Sequence, residues 1–121
     1  MSAPFFDTNI IIDWLRRRPQ ARTEIARYPK HRISRIVWTE VLAGEVLEDR
    51  GRVQEALSHF ELVEIDQRIA LAAADIRQRT RMTLLDAFIL ATAQVNGAIL
   101  ITRNTKDFPA ALPGVRVPYT L

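Results

Sequence analysis

Short apolar runs alternate with longer stretches of helical periodicity, and that alternation limits this chain to few folds. The runs are Phe5-Phe6 ahead of Asp7, a brief segment at Ile33, Leu62 to Ile65, Ala98 to Thr102, and Val115 to Val117. Each is too short to be a helix with a buried stripe, and the stretches between them repeat apolar residues every three or four positions. Strands that alternate with helices assemble into a parallel sheet, so the sequence predicts an α/β domain. A length of 121 residues suits one such domain over 1–121, with no internal repeat or linker to divide it.

Helices are expected over Asn9–Arg17, Gln20–Tyr28, from an N-cap at Ser34 to about Glu48, after Gly51, from Gln67 to about Thr80 behind Asp66, and over Thr83–Val95. Pro19 and Pro29 punctuate the first two. On the third, Glu40 shares a face with Val37, Val41 and Gly44, which aims it at the core. Asp13 is expected on the surface of the first helix. The helix over Thr83–Val95 has almost no polar side and should be buried nearly all round, with Asn96-Gly97 ending it.

Four acids and an amide fall at telling places in this pattern. Asp7 terminates the first strand, and Asn104 and Asp107 lie in the turn after Ala98 to Thr102, on the same carboxyl edge of the sheet. Glu40 and Asp86 lie at inward positions of helices that should flank those strands. Each also has a plain local explanation. Asp7 can cap the helix it precedes, Thr83-Leu84-Leu85-Asp86 has the form of a capping box, Glu40 can be solvated if its helix rotates, and Asn104 and Asp107 suit a turn. Taken together they require more, because crowded carboxylates repel one another unless a cation or raised pKa values offset the repulsion.

The chain has no cysteine, and His31 and His59 are its only imidazoles, which excludes disulfides and argues against a structural zinc site. A metal would have to be held by oxygen, which selects hard cations such as Mg²⁺ or Mn²⁺. The net charge is +3 from 17 basic and 14 acidic residues. Setting four acids aside around a metal leaves 17 basic residues against ten acidic ones, a balance suited to a polyanionic partner. Arg16 to Arg18, Arg77, Arg79 and Arg81 could extend a basic track, or could simply be solvated helix ends. No run is long enough to span a membrane and no signal peptide is evident, so a cytoplasmic location is expected.

Four blocks carry a resemblance that covers nearly the whole chain: Phe6-Asp7-Thr8-Asn9, Thr39-Glu40-Val41-Leu42-Ala43-Gly44, Leu85-Asp86-Ala87-Phe88-Ile89-Leu90-Ala91-Thr92-Ala93, and Ile101-Thr102-Arg103-Asn104-Thr105-Lys106-Asp107-Phe108. In this order and spacing they resemble the PIN-domain ribonucleases, in particular the VapC-type toxins of toxin–antitoxin pairs. The resemblance implies a three-layer α/β/α fold with a central parallel sheet flanked by helices. It implies that Asp7, Glu40, Asp86 and Asp107 hold Mg²⁺ or Mn²⁺ for endonucleolytic hydrolysis of RNA, with Thr8, Asn9 and Asn104 as supporting polar residues. Arg103 and Lys106, beside the acids, are candidates to neutralise substrate phosphates. It further implies a homodimer and an antitoxin whose C-terminal segment covers the acidic groove. Asn104 stands where relatives carry an acid, and Leu85 where a proline is common.

Other folds with a strand-end aspartate fit less well. A haloacid-dehalogenase-type phosphatase needs a second aspartate two residues on, where this chain has Asn9. A receiver domain needs an acidic pair that is missing, and structure-specific DNA nucleases need insertions for which there is little room. The main alternative of another class is a non-catalytic PIN-like module that binds RNA or protein.

Overall fold

Neighbouring residues of a strand face opposite sides of a sheet, and here both sides are covered. In the computed structural model, which describes residues 2–121, Phe5 and Phe6 of β1 (Phe5–Phe6) and Leu100 and Ile101 of β4 (Leu100–Ile101) are at most 1% exposed. With β2 (Arg32–Ser34), β3 (Glu61–Val63) and β5 (Val115–Arg116) they form one parallel sheet in the order β3-β2-β1-β4-β5. Phe5 lies opposite Arg32 on one side and Leu100 on the other. The helices are α1 (Thr8–Leu15), α2 (Pro19–Ala26), α3 (Arg35–Ala43), α4 (Arg50–Leu57), α5 (Gln67–Arg79) and α6 (Leu84–Val95), and they give the three-layer α/β/α arrangement.

The strand order reverses at β1: β2 and β3 lie to one side of it, β4 and β5 to the other. Parallel sheets open a crevice at the carboxyl ends of the strands where such a reversal occurs. Asp7 directly follows β1, and the 102–108 loop follows β4, so both border that crevice.

Local chemistry sets the helix starts. The Ser34 hydroxyl accepts the Val37 N–H at 3.1 Å, Asp66 accepts the Ile69 N–H at 2.9 Å, and the Thr83 hydroxyl accepts the Asp86 N–H at 3.2 Å. Each such cap is worth about 1 kcal/mol. Gly97, at φ 62°, ends α6 in the left-handed conformation while its N–H and that of Ala98 return to Gln94 and Ala93. Beneath β1, Phe6 meets Tyr28 and Phe60 edge-on at 6.1 Å, and Trp14 meets Phe60 at 5.1 Å. Trp14 therefore serves packing.

The structure departs from the sequence expectations at several boundaries. The helix expected from Ser34 to Glu48 stops at Ala43; Gly44 caps it, and a single 3₁₀ turn over Leu47–Asp49 leads into α4. A glycine followed closely by a β-branched valine gives little intrinsic support for continuing the helix there. Strands β3 and β4 are shorter than the apolar runs that carry them. The helix α6 is not enclosed all round: Leu84 and Leu85 in its first turn are 51% and 50% exposed. No described helix is long and apolar enough to cross a membrane.

Candidate active site

Asp7 is held at the crevice by the backbone and by two side chains. Its N–H extends the β1–β4 ladder by donating to the Ile101 carbonyl at 2.9 Å. One carboxylate oxygen, Oδ1, accepts the Thr8 N–H at 2.8 Å, so Asp7 does cap α1. The other, Oδ2, accepts the Thr102 hydroxyl at 2.7 Å, and the Asn9 amide approaches it at 3.5 Å. Asp7 therefore caps α1 with one oxygen, while the other is held by Thr102 and Asn9.

The carboxyl of Asp7 is only 4% exposed, and burial pushes its pKa up to about 6. The Thr102 and Thr8 hydrogen bonds oppose that rise, and the charges of Glu40 and Asp86 add to it. Burial likewise raises Asp86; the Thr83 hydroxyl opposes this, while Asp107 and Glu40 reinforce it. Asp7 and Asp86 each feel Glu40, and Asp86 also feels Asp107, so the four acids form one electrostatic neighbourhood. Glu40 is half-buried on α3, and its Oε1 accepts the Thr8 hydroxyl at 2.6 Å. Thr8 therefore braces one acid with its side chain and another with its backbone.

Asp107 is exposed and tied to its own loop: the Asn104 amide donates to its Oδ2 at 2.8 Å, and its N–H donates to Asn104 Oδ1 at 3.3 Å. The Asn104 N–H donates to the Thr102 hydroxyl at 2.9 Å, which links this loop to Asp7. Asn9 accepts the Arg103 N–H at 3.3 Å. Lys106 is exposed beside Asp107.

The guanidinium of Arg103 is bound by Asp13, with Nε at 2.6 Å from Oδ2 and Nη2 at 3.0 Å from Oδ1. Asp13, expected on a helix surface, is 1% exposed. It also accepts the Tyr119 hydroxyl at 2.8 Å and faces Arg18 at 3.5 Å. Despite its burial, these partners hold its carboxyl below the usual range. The available signal was the i, i+4 spacing of Asn9 and Asp13, which puts both on the side of α1 that meets the loop after β4. A second buried carboxylate has no such signal in the sequence: Glu24 on α2 accepts two hydrogen bonds from Arg116, at 2.7 and 3.1 Å.

None of Asp7, Glu40, Asp86 or Asp107 takes part in an ion pair among the described residues, in contrast to Asp13 and Glu24. No three acidic or histidine side chains among the described residues close into a ready-made metal cage. The donor set nevertheless fits a hard divalent cation: the ligands would all be oxygen, and no basic side chain among the described residues offsets the cluster's repulsion.

A family model for the PIN domain matches residues 5–111. The chain belongs to the PIN-domain family. A chain of a toxin–antitoxin complex from Klebsiella pneumoniae is 43% identical, with a TM-score of 0.91 over 98% of this chain and 100% of that one. A chain of FitAcB from Neisseria gonorrhoeae is 24% identical, with a TM-score of 0.79 over 97% of this chain and 99% of that one. A chain of the DNA-bound VapBC from Salmonella typhimurium is also 24% identical, with a TM-score of 0.79 over 96% of each. The last two show a shared PIN fold and no more. None of the curated proteins compared with the chain matches it.

Proposed function

We propose that this PIN domain is a Mg²⁺- or Mn²⁺-dependent endoribonuclease, the toxin of a cytoplasmic toxin–antitoxin pair. The observation that carries the reading is the acid cluster at the β1–β4 crevice. Asp7 is buried there within the field of Glu40 and Asp86, its pKa is raised, and no basic side chain among the described residues pairs with these acids. Asp7 and Asp86 are assigned as direct ligands, with Glu40 and Asp107 as outer acids. The bound cation would lower the pKa of a water and stabilise charge on the scissile phosphate and leaving oxygen.

The chain's own residues do the positioning. Thr102 and the Thr8 N–H fix both oxygens of Asp7, so its orientation does not depend on a ligand. Thr8 fixes Oε1 of Glu40, leaving Oε2 to take a proton from an attacking water. The Asn104 amide holds Asp107 at the outer rim, and the exposed Lys106 meets a neighbouring phosphate. The toxin role is supported by the 43% identity to a chain of a toxin–antitoxin complex. It calls for an antitoxin partner, and the reading includes a homodimer.

The test is cleavage of single-stranded RNA by the purified protein in Mg²⁺, Mn²⁺ or EDTA, alongside Asp7→Asn. Cleavage that needs the metal and Asp7 supports the proposal. Cleavage that persists in EDTA and in the variant refutes it. Binding of RNA without cleavage under all metal conditions favours the non-catalytic module.

A further inference from the structure

The 102–108 loop is already fixed without Asp13. Asn9 accepts the Arg103 N–H, the Thr102 hydroxyl bonds Asp7 and receives the Asn104 N–H, and the Phe108 N–H donates to the Asn104 carbonyl at 2.9 Å while its ring is fully buried. What Asp13 adds is specific to one group, the guanidinium of Arg103. It binds that group through two hydrogen bonds and is itself held by Tyr119 and Arg18. A buried carboxylate with this many donors is a built receptor for a cation, since such an acid would be costly to leave unpaired.

The guanidinium it holds belongs to the one arginine next in sequence to Thr102, whose hydroxyl touches Asp7. Arg103 is about one-third exposed, so its long side chain has room to turn. The carboxylates next to Thr102 have no basic partner among the described residues, so a released guanidinium that reached them would neutralise the charge that a metal needs.

We infer that Asp13 is a positioning residue that withholds Arg103 from the acidic site and so keeps that site open to a divalent cation. The inference rests on the metal-binding reading above and adds a residue outside the acid cluster. Asp13 touches neither the acids nor the substrate; it acts only through Arg103. α1 therefore carries an acid at each end of its task, Asp7 capping its start and offered to the metal, Asp13 nearly two turns further on and reserved for the arginine.

The experiment is titration of the metal-free protein with Mn²⁺, followed by electron paramagnetic resonance of the free ion, without RNA. Wild type, Asp7→Asn, Asp13→Asn, Arg103→Gln and the double variant Asp13→Asn/Arg103→Gln are compared, with circular dichroism confirming that each is folded. Asp13→Asn is expected to bind Mn²⁺ at least tenfold more weakly than wild type, and the double variant to return within threefold of it. A merely structural role would leave the double variant as weak as the single one. That result, or unchanged affinity in Asp13→Asn, overturns the inference while leaving the metal site standing. Failure of the wild type to bind Mn²⁺ at all removes the metal-binding reading, and the inference with it. Should Asp13→Asn not fold, the double variant buries no unpaired charge from this pair and carries the test: affinity within threefold of wild type supports the inference, and a tenfold loss overturns it.

Discussion

Replacing Asp7 with asparagine should make the metal-free protein more stable at neutral pH, although it should abolish activity. The carboxyl has its pKa raised from 3.8 to about 6, and a shift of about two units corresponds to about 3 kcal/mol between the two protonation states. The fold binds this proton more tightly than the unfolded chain does. The contribution of Asp7 to stability is therefore most favourable below about pH 4, falls as pH rises towards 6, and carries its full cost above that. Asparagine keeps an oxygen for the Thr8 N–H but gives up the charged acceptor of the Thr102 hydroxyl, a loss of about 1 kcal/mol. The net gain is about 2 kcal/mol, or roughly 8 °C in Tm for a chain of this size. Thermal unfolding in EDTA at pH 7.5 and at pH 4 measures it directly. The gain should nearly vanish at pH 4, and added Mn²⁺ should raise the melting point of wild type alone. A variant less stable than wild type at pH 7.5, or a gain equally large at pH 4, would refute the account of the acid cluster.

Other substitutions separate the roles of the surrounding residues. Thr8→Val removes the donor to Glu40 Oε1, and should cut metal-dependent turnover about tenfold or more while changing stability by about 1 kcal/mol, as measured by single-turnover kinetics and urea unfolding. Phe108→Ala empties a fully buried site under the loop and should cost about 3–5 kcal/mol in urea unfolding. Glu24→Gln breaks the clamp on Arg116 and should cost about 3 kcal/mol, at the low end for a buried pair because Arg116 is partly exposed. Glu24 is held below its usual pKa, so this contribution is present above the ordinary carboxylate range and disappears as pH falls through the folded value. The difference between wild type and Glu24→Gln should shrink accordingly in acid. Lys106→Ala should weaken RNA binding and reduce the slope of log affinity against log salt by about 0.7, one phosphate contact on a single strand.

The elements that could be read in the sequence are those whose signal is local. Asp66, Ser34 and Thr83 announce their helices because capping needs only a side-chain oxygen three residues before an orphan N–H. The parallel sheet follows from alternation, and the edge shared by Asp7 and the 102–108 loop follows from the sheet. The partners of Asp13 and Glu24, namely Arg103, Tyr119 and Arg116, lie about 90 residues or more away in the chain, so the spacing of Asn9 and Asp13 hints at a shared face but not at the cation that meets it. A charged residue on a helix is usually solvated, and only the tertiary fold brings the compensating cation to it. The exposure of Leu84 and Leu85 is likewise not written in their composition: hydrophobicity alone does not say which turn of a helix projects beyond its neighbours.

The claim on which the functional reading depends is that Asp7 and its neighbours hold a divalent cation. Calorimetric titration of the purified protein with Mg²⁺ and Mn²⁺ tests it without reference to any RNA. Saturable binding to wild type, lost in both Asp7→Asn and Asp86→Asn while both variants remain folded, is the result predicted. Equal binding by all three proteins, or no binding by any, would contradict it.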